Sequence, residues 1–231
     1  MLCEKWEMTA NVCVSAVVCF ESPARTQILT LCVIMRNTTD IENAIETISE
    51  NYSHLTVDCK IDLKNSCKLL CVDKLSLIVK AGQFADKMYL IVSGCVRAFY
   101  YKDGKEITDW FAFEGDFMSS INSFYQGVSS KHNIELLEPT TFLEITRDDI
   151  FTLTDKHHCF ERLGRIAVTK TMLQLQERIV SIQFETAQQK YESLINMRPD
   201  ILQRVPLTHI ASHLGITLET LSRIRNPKNR I

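Results

Sequence analysis

The chain has 231 residues, 45% apolar and 23% charged, with only 7 glycines and 5 prolines; this excludes collagen-like, linker-like and disordered chains and leaves a folded protein with one full core and a small partner domain. Nine cysteines without a repeated short spacing exclude a secreted disulfide scaffold and point to reduced thiols in a cytoplasmic protein. The net charge of -2 is unevenly spread: over 196–231 six cations face two carboxylates, so a basic tail follows an acidic body, as in a polyanion-binding module joined to another domain.

The apolar runs 12–20 and 28–35 are too short to cross about 30 Å of hydrocarbon, so no membrane partner is expected. Glu4, Lys5 and Glu7 give the leading segment a net negative charge, unlike a signal peptide. Residues 1–34 carry neither helical period nor strand alternation and are expected to be a leader ahead of a natural start at Met35.

Over 39–52, Ile41, Ala44, Ile45 and Ile48 recur at three and four, predicting a short amphipathic helix with Thr39 or Asp40 as its cap. From 55 to 146 the period changes. Short β-branched or aromatic runs at 75–79, 88–92, 95–101, 106–111, 134–137 and 141–145, bounded by turn residues, predict an antiparallel sandwich or roll. Lys102-Asp103-Gly104 is the clearest hairpin turn, and Ser93-Gly94 and Glu114-Gly115 mark further corners.

After Asp148 the helical period returns. Val168, Met172, Leu175, Ile179 and Ile182 are spaced four, three, four, three, the seam of a two-stranded coiled coil; such a stripe equally suits packing on its own domain. A break over 183–186 precedes a helix at 187–196, which Arg198-Pro199 ends because the residue before proline is pushed out of the helical basin.

The strongest signal lies at 207–225. Two helices crossing through a tight turn need a small contact residue, a residue tolerant of left-handed φ, and apolar residues facing a shared core. Ala211, Gly215 and the set Ile210, Leu214, Ile216, Leu221 and Ile224 meet those demands, and Thr217 caps the second helix. With Thr217 as cap, Leu218, Glu219, Ser222, Arg223 and Asn226 share its outward face, the face that enters the major groove in helix-turn-helix proteins. Arg223 suits the guanine N7 and O6 pair and Glu219 the cytosine amine, although the two also suit a surface ion pair; Arg225, Lys228 and Arg230 suit phosphates.

Several strings carry a resemblance: Tyr89-Leu-Ile-Val-Ser-Gly-Cys-Val-Arg97, Asp103-Gly-Lys-Glu-Ile107, Trp110-Phe-Ala-Phe-Glu-Gly-Asp-Phe117 and Gly215-Ile-Thr-Leu-Glu-Thr-Leu-Ser-Arg223. Over about 37–231 the chain resembles the Crp/Fnr family of bacterial transcription regulators, in the branch common in Bacteroidetes. The resemblance implies an α+β architecture: an antiparallel β-roll of the cyclic-nucleotide-binding type, a long dimerisation helix and an all-α helix-turn-helix domain. The boundaries it implies are a leader at 1–34, a roll at 35–150, a linker and dimer helix at 151–183, and a DNA-binding domain at 184–231. Its implied partners are duplex DNA, a second copy and RNA polymerase. In the family the reading helix carries Arg-Glu-Thr and a later Arg; Glu219, Thr220 and Arg223 match, while Leu218 stands in place of the first Arg and offers a thymine-methyl contact instead. Only six residues follow Arg225, so the wing strands of many relatives are not expected.

Cyclic-AMP-binding relatives use a Gly-Glu pair for ribose and an Arg-Ser or Arg-Thr pair for phosphate. Phe117-Met-Ser-Ser-Ile-Asn-Ser-Phe124 has no Gly-Glu, and Ser129-Ser-Lys-His-Asn133 has no Arg. The effector pocket implied at Met118, Ser119, Ser120, Lys131 and His132 is therefore expected to be degenerate, with no cyclic nucleotide or other cofactor assigned. The wide cysteine spacing does not suit an iron-sulfur centre, and no metal is expected. His157-His158-Cys159 places a nucleophile beside bases, but neighbours on a helix point about 100° apart and do not converge, so no enzyme is expected. The rival expectation is a ligand-sensing or protein-interaction module without DNA binding.

Overall fold

The computed structural model describes residues 12–13, 33–35 and 38–226. Helix α1 (Thr38–Asn51) turns Ala44, Ile45 and Ile48 inward, as the spacing predicts; Thr39 and Asp40 fall within its first turn instead of ahead of it. Helix α2 (Val57–Ser66) follows, capped by Thr56. Among the described residues ten strands form two sheets: β1 (Val12–Cys13), β2 (Val33–Met35), β3 (Cys67–Val72), β4 (Leu77–Val79), β5 (Lys87–Ser93), β6 (Val96–Lys102), β7 (Lys105–Ala112), β8 (Phe117–Met118), β9 (Asn133–Leu136) and β10 (Thr140–Thr146). The first sheet runs β1-β2-β3-β10-β5-β8 and the second β4-β9-β6-β7, each pairing antiparallel. The boundary expected between residues 34 and 35 falls inside β2, which pairs with β3, and β1, within the expected leader, pairs with β2; the expected leader's other residues lie outside the described residues.

Strand alternation builds two cores back to back. Tyr89, Ile91 and Phe142 of the first sheet meet Val96, Ala98, Ile134 and Leu136 of the second, filling the roll. Their neighbours Leu90 and Leu143 point to the other face of the first sheet, where α1, α2, α4 (Arg147–Lys156) and the start of α5 (His158–Phe184) cover them with Ile45, Leu63, Leu153 and Phe160. The first sheet is thus apolar on both faces. The hairpin at 102–105 turns on Asp103 and Gly104, both at positive φ, the pairing that suits the strand twist. At Gly94, φ is +115° and a Cβ would lie 2.8 Å from the Thr140 Cα, so both conformation and close approach of β10 require glycine.

Two helices were not foreseen. Residues 57–66 lie in the stretch from 55 to 146 expected to hold short strands, yet they form α2, burying Cys59 and Leu63 while Val57 and Ile61 stay exposed. Helix α3 (Ile121–Gln126) is a six-residue turn, too short to display a period. At the other end of the roll, Leu75 takes positive φ, so the run foreseen at 75–79 is a strand only from Leu77.

Helix α5 has 27 residues, about 40 Å at the helical rise. Only Phe160 and Leu163, near its start, are buried. Val168, Met172, Leu175, Ile179 and Ile182 are 44–59% exposed, so the stripe is not spent on its own domain. Glu185 ends α5, and Thr186 begins α6 (Ala187–Met197) with a capping box closed by Gln189. Helices α7 (Ile201–Arg204), α8 (Leu207–Leu214) and α9 (Leu218–Arg225) complete the chain's described part. The architecture is α+β: an antiparallel roll, a long helix and a terminal helical unit. No helix among the described residues is long and apolar enough to cross a membrane.

Candidate nucleic-acid interface

The pair α8–α9 is closed by its own turn. Gly215 sits at φ +68° and nothing lies within 4 Å of where its Cβ would be, so backbone conformation alone selects glycine here. The Ile216 amide donates to Ala211 O at 3.0 Å and the Gly215 amide to Ser212 O at 3.2 Å, the two bonds of a Schellman closure. Thr217 Oγ1 then accepts the Thr220 amide at 3.2 Å, capping α9 as the sequence predicts. Ile210, Ala211, Leu214 and Leu221 are buried together, with Ile216 packed against them; Ile224 is only partly buried.

With one face of α9 so anchored, Leu218, Glu219, Ser222, Arg223 and Asn226 are all exposed, as is Arg225. No ion pair within 4 Å joins Glu219 to Arg223 among the described residues, and both side chains are exposed. The Glu219 carboxyl is held below its ordinary range by its own amide and the Thr217 hydroxyl, with Arg223 adding to the effect, so it is an acceptor at neutral pH. Lys228 and Arg230 lie outside the described residues.

The helical unit is docked on the roll through contacts that periodicity does not reveal. Cys95, Phe111, Phe113 and Leu137 of the roll share one core with Ile201, Val205, Ile210 and Leu221. Above that core Arg97 of β6, 3% exposed, donates from Nε to Glu135 at 2.6 Å and from Nη2 to Glu106 at 2.7 Å, while Nη1 lies 2.9 Å from His209 Nδ1 of α8. Strand β7 is an edge of the second sheet, and Ser212 covers it: the hydroxyl accepts the Thr108 amide at 2.9 Å and donates to Glu106 O at 3.0 Å. Arg204 of α7 donates to Glu114 at 2.6 Å, to Glu138, and to Asp200 at 3.0 Å. Burial, the largest single influence, would raise the Glu114 carboxyl, but the Arg204 bond, its own and the Gly94 amides and the Arg204 charge together bring it down to about 2. A buried Arg in the apolar run 95–101 was the one available sequence signal for this junction, since such a cation requires partners.

The residues expected to form an effector pocket divide into two groups. Met118 is buried in the roll core, Ser119 Oγ donates to Lys87 O at 2.8 Å, and Ser120 is buried at the start of α3. Lys131 is exposed, and His132 Nε2 lies 3.3 Å from Asp109 Oδ2 with its ring against Tyr100. Nearby, Ser123 Oγ accepts the Ala85 amide at 2.7 Å and Ser130 Oγ donates to His132 O at 2.8 Å, so these hydroxyls serve the chain's own backbone. A cleft of about 200 Å³ opens elsewhere, between α1 and β5, lined by Ile48, Tyr52, Leu90 and Glu114 and by none of those five. The set His157, His158 and Cys159 does not converge: His157 Nε2 is 2.6 Å from Asp62, while His158 is exposed and faces Glu161. No group of three or more metal-ligating side chains gathers among the described residues.

No curated protein matches the chain by sequence. Among solved structures, FixK2 from Bradyrhizobium japonicum aligns at TM-score 0.60 and 18% identity, over 70% of this chain and 83% of that one. The global regulator CLP of Xanthomonas campestris, described as c-di-GMP responsive, aligns at 0.59 and 13% identity, over 75% and 91%. A crp/fnr-family protein from Eubacterium rectale aligns at 0.58 and 18% identity, over 74% and 82%. At such identities the likeness is one of fold. Residues 71–157, from β3 to the end of α4, match the family of the cyclic nucleotide-binding domain, and the antiparallel roll with its long helix is the fold this chain shares with Crp/Fnr regulators.

Proposed function

We propose that the chain is a homodimeric, sequence-specific DNA-binding transcription regulator of Crp/Fnr type, acting in the cytoplasm with duplex DNA and RNA polymerase as partners. The observation that carries this reading is the division of α9: Leu221 is fully buried in the core shared with α8, while Leu218, Glu219, Ser222 and Arg223 are exposed. In a helix-turn-helix this is the face presented to base edges, with Arg223 on guanine and Glu219 on cytosine. Arg225, Lys228 and Arg230 add phosphate contacts that give affinity without sequence choice.

The exposed stripe Val168, Met172, Leu175, Ile179 and Ile182 supports pairing of two α5 helices. That pairing sets two α9 helices into successive major grooves, about 34 Å apart, on an inverted repeat. The domains run as leader 1–34, whose described strand β1 and the start of β2 extend the first sheet of the roll, then roll 35–150, linker and dimer helix 151–183 and DNA-binding unit 184–231. The effector region at Met118, Ser119, Ser120, Lys131 and His132 is degenerate and takes no cyclic phosphate. Ser119 is engaged with a backbone carbonyl, Ser120 is buried, Lys131 is exposed, and His132 is committed to Asp109.

Fluorescence anisotropy with a labelled random-sequence duplex tests the reading. Affinity that falls steeply as salt rises is the expected result, because counterions are released from each neutralised phosphate. Absence of binding at low salt favours instead a ligand-sensing or protein-interaction module.

A further inference from the structure

Two helix N-termini meet beside the first sheet, each carrying a cysteine. Thr56 caps α2, its Oγ1 accepting the Cys59 amide at 3.4 Å, and the same hydroxyl lies 3.7 Å from Cys159 Sγ on the first turn of α5. Asp62, one turn after Cys59, holds the elements in register by pairing with both Lys156 and His157 at 2.6 Å. Both cysteines thus meet the Thr56 hydroxyl, Cys59 through its amide and Cys159 through its sulfur, and Cys159, open to solvent in part, packs against the core cluster that holds the fully buried Cys59.

Their surroundings make them unlike. Burial tends to push the Cys159 thiol up, but the Thr56 amide and hydroxyl, the Cys59 thiol and its own amide together bring it below the ordinary value; it also sits at the positive end of a 27-residue helix. Burial, then the Cys159 contact and the Asp62 charge, push the Cys59 thiol up to about 12. Cys67 and Cys95 are buried with their thiols likewise raised, to about 11 and about 12. Among the described residues, Cys159 alone combines access, hydrogen-bond donors to a thiolate and an adjacent second thiol.

We propose that Cys159 is an oxidation site for small hydroperoxides and that Cys59 resolves the product to a disulfide tying α2 to the first turn of α5. The Cys159 thiolate attacks one peroxide oxygen; an S–O bond forms, the O–O bond breaks, and the departing hydroxide takes the proton that Cys159 gave up, leaving water and a sulfenic acid. The Cys59 sulfur then attacks the sulfenyl sulfur; the S–S bond forms, the S–O bond breaks, and the departing hydroxide takes the Cys59 proton as a second water. Two thiols and one hydrogen peroxide give one disulfide and two waters, the sulfurs being oxidised and the peroxide reduced.

The test treats the full chain with one equivalent of hydrogen peroxide, traps free thiols with iodoacetamide at timed intervals, and maps peptides without reductant. The expected product is a crosslinked pair containing Cys59 and Cys159, two hydrogens lighter than the reduced peptides and lost on adding dithiothreitol. It should form at least about ten-fold faster than Cys71 is oxidised. In Cys59→Ser the Cys159 sulfenic acid should accumulate and be captured by dimedone; should that variant fail to fold, dimedone added to the unaltered chain during the time course should divert the disulfide to the same adduct. Alkylation of Cys159 and Cys71 at equal rates before and after peroxide, or a Cys159 disulfide to any cysteine other than Cys59, would overturn the proposal. None of these readouts depends on DNA.

Discussion

Arg178 on the long helix α5 reaches the first helix of the terminal pair: its Nη1 lies 2.8 Å from His213 Nδ1 of α8. The imidazole also packs against the Phe111 ring at a centroid distance of 5.0 Å, with Asp109 of β7 the acidic group nearby. Three parts of the molecule therefore meet at one histidine. Burial, and after it the Arg178 charge, bring the His213 pKa down to about 3, with Asp109 opposing.

The pH dependence of stability follows from that contact. Above 6.5 His213 is neutral folded and unfolded alike, and its contribution is fully present. As pH falls from 6.5 towards 3 the unfolded chain binds a proton that the folded chain refuses, so stability is lost. His209, whose pKa is lowered by burial and by Arg97, acts in the same direction. Glu114 adds a further loss between 4.5 and about 2. Urea midpoints should be lower at pH 5.5 than at pH 7.5, and His213→Gln should flatten the difference; an unaltered difference would contradict this assignment.

Arg97 joins roll and helical unit from a buried position. Arg97→Ala leaves Glu135, 15% exposed, without its cation and His209 without its neighbour, and should cost about 3 kcal/mol, the lower end of the buried-pair range. Glu106 is more than a third exposed and contributes little of that. Arg97→Lys keeps the charge but not the three-way fork, so it should lie between the two. Denaturant unfolding gives the cost, and hydrogen exchange should show α8 amides less protected in Arg97→Ala; unchanged α8 protection would mean the contact does not hold the helical unit.

The stripe on α5 separates association from folding. Ile179 is 55% exposed within the chain, so Ile179→Glu leaves the roll's cores untouched. Sedimentation equilibrium should report a monomer at concentrations where the parent pairs, while the circular dichroism of the roll and helices is retained. A variant that still pairs would place the interface elsewhere.

Base reading and phosphate contact predict different outcomes on α9 and beyond it. Arg223→Ala should relax preference at one position per half-site and cost about 1–3 kcal/mol. Arg230→Ala should weaken all duplexes alike and reduce the salt slope by about one. Quantitative binding to a panel of single-base variants distinguishes the two; equal losses across the panel for Arg223→Ala would remove its base-reading role.

Much of this fold was legible because periodicity is a local property. The short β-branched and aromatic runs at 88–92 and 141–145 mark β5 and β10, and Gly215 and Thr217 mark the turn and cap of α8–α9. Helix α2 was hidden because its exposed residues Val57 and Ile61 are apolar, which masks the three-to-four spacing of its buried pair Cys59 and Leu63. The docking of α8 on β7 was hidden for a different reason. Arg97 and His209, or Thr108 and Ser212, stand more than a hundred residues apart, and no local pattern joins partners whose contact is made by the fold. Nor did the stripe on α5 announce whether it was covered; that required seeing how little of α5 the roll reaches.

Selection of duplexes from a random pool by the full chain tests the central claim most directly. An enriched inverted repeat, with half-site centres one helical turn (about 34 Å) apart and a guanine position lost in Arg223→Ala, is the predicted result. A pool that emerges without an enriched sequence, or a single unpaired site bound equally well by Arg223→Ala, would contradict it.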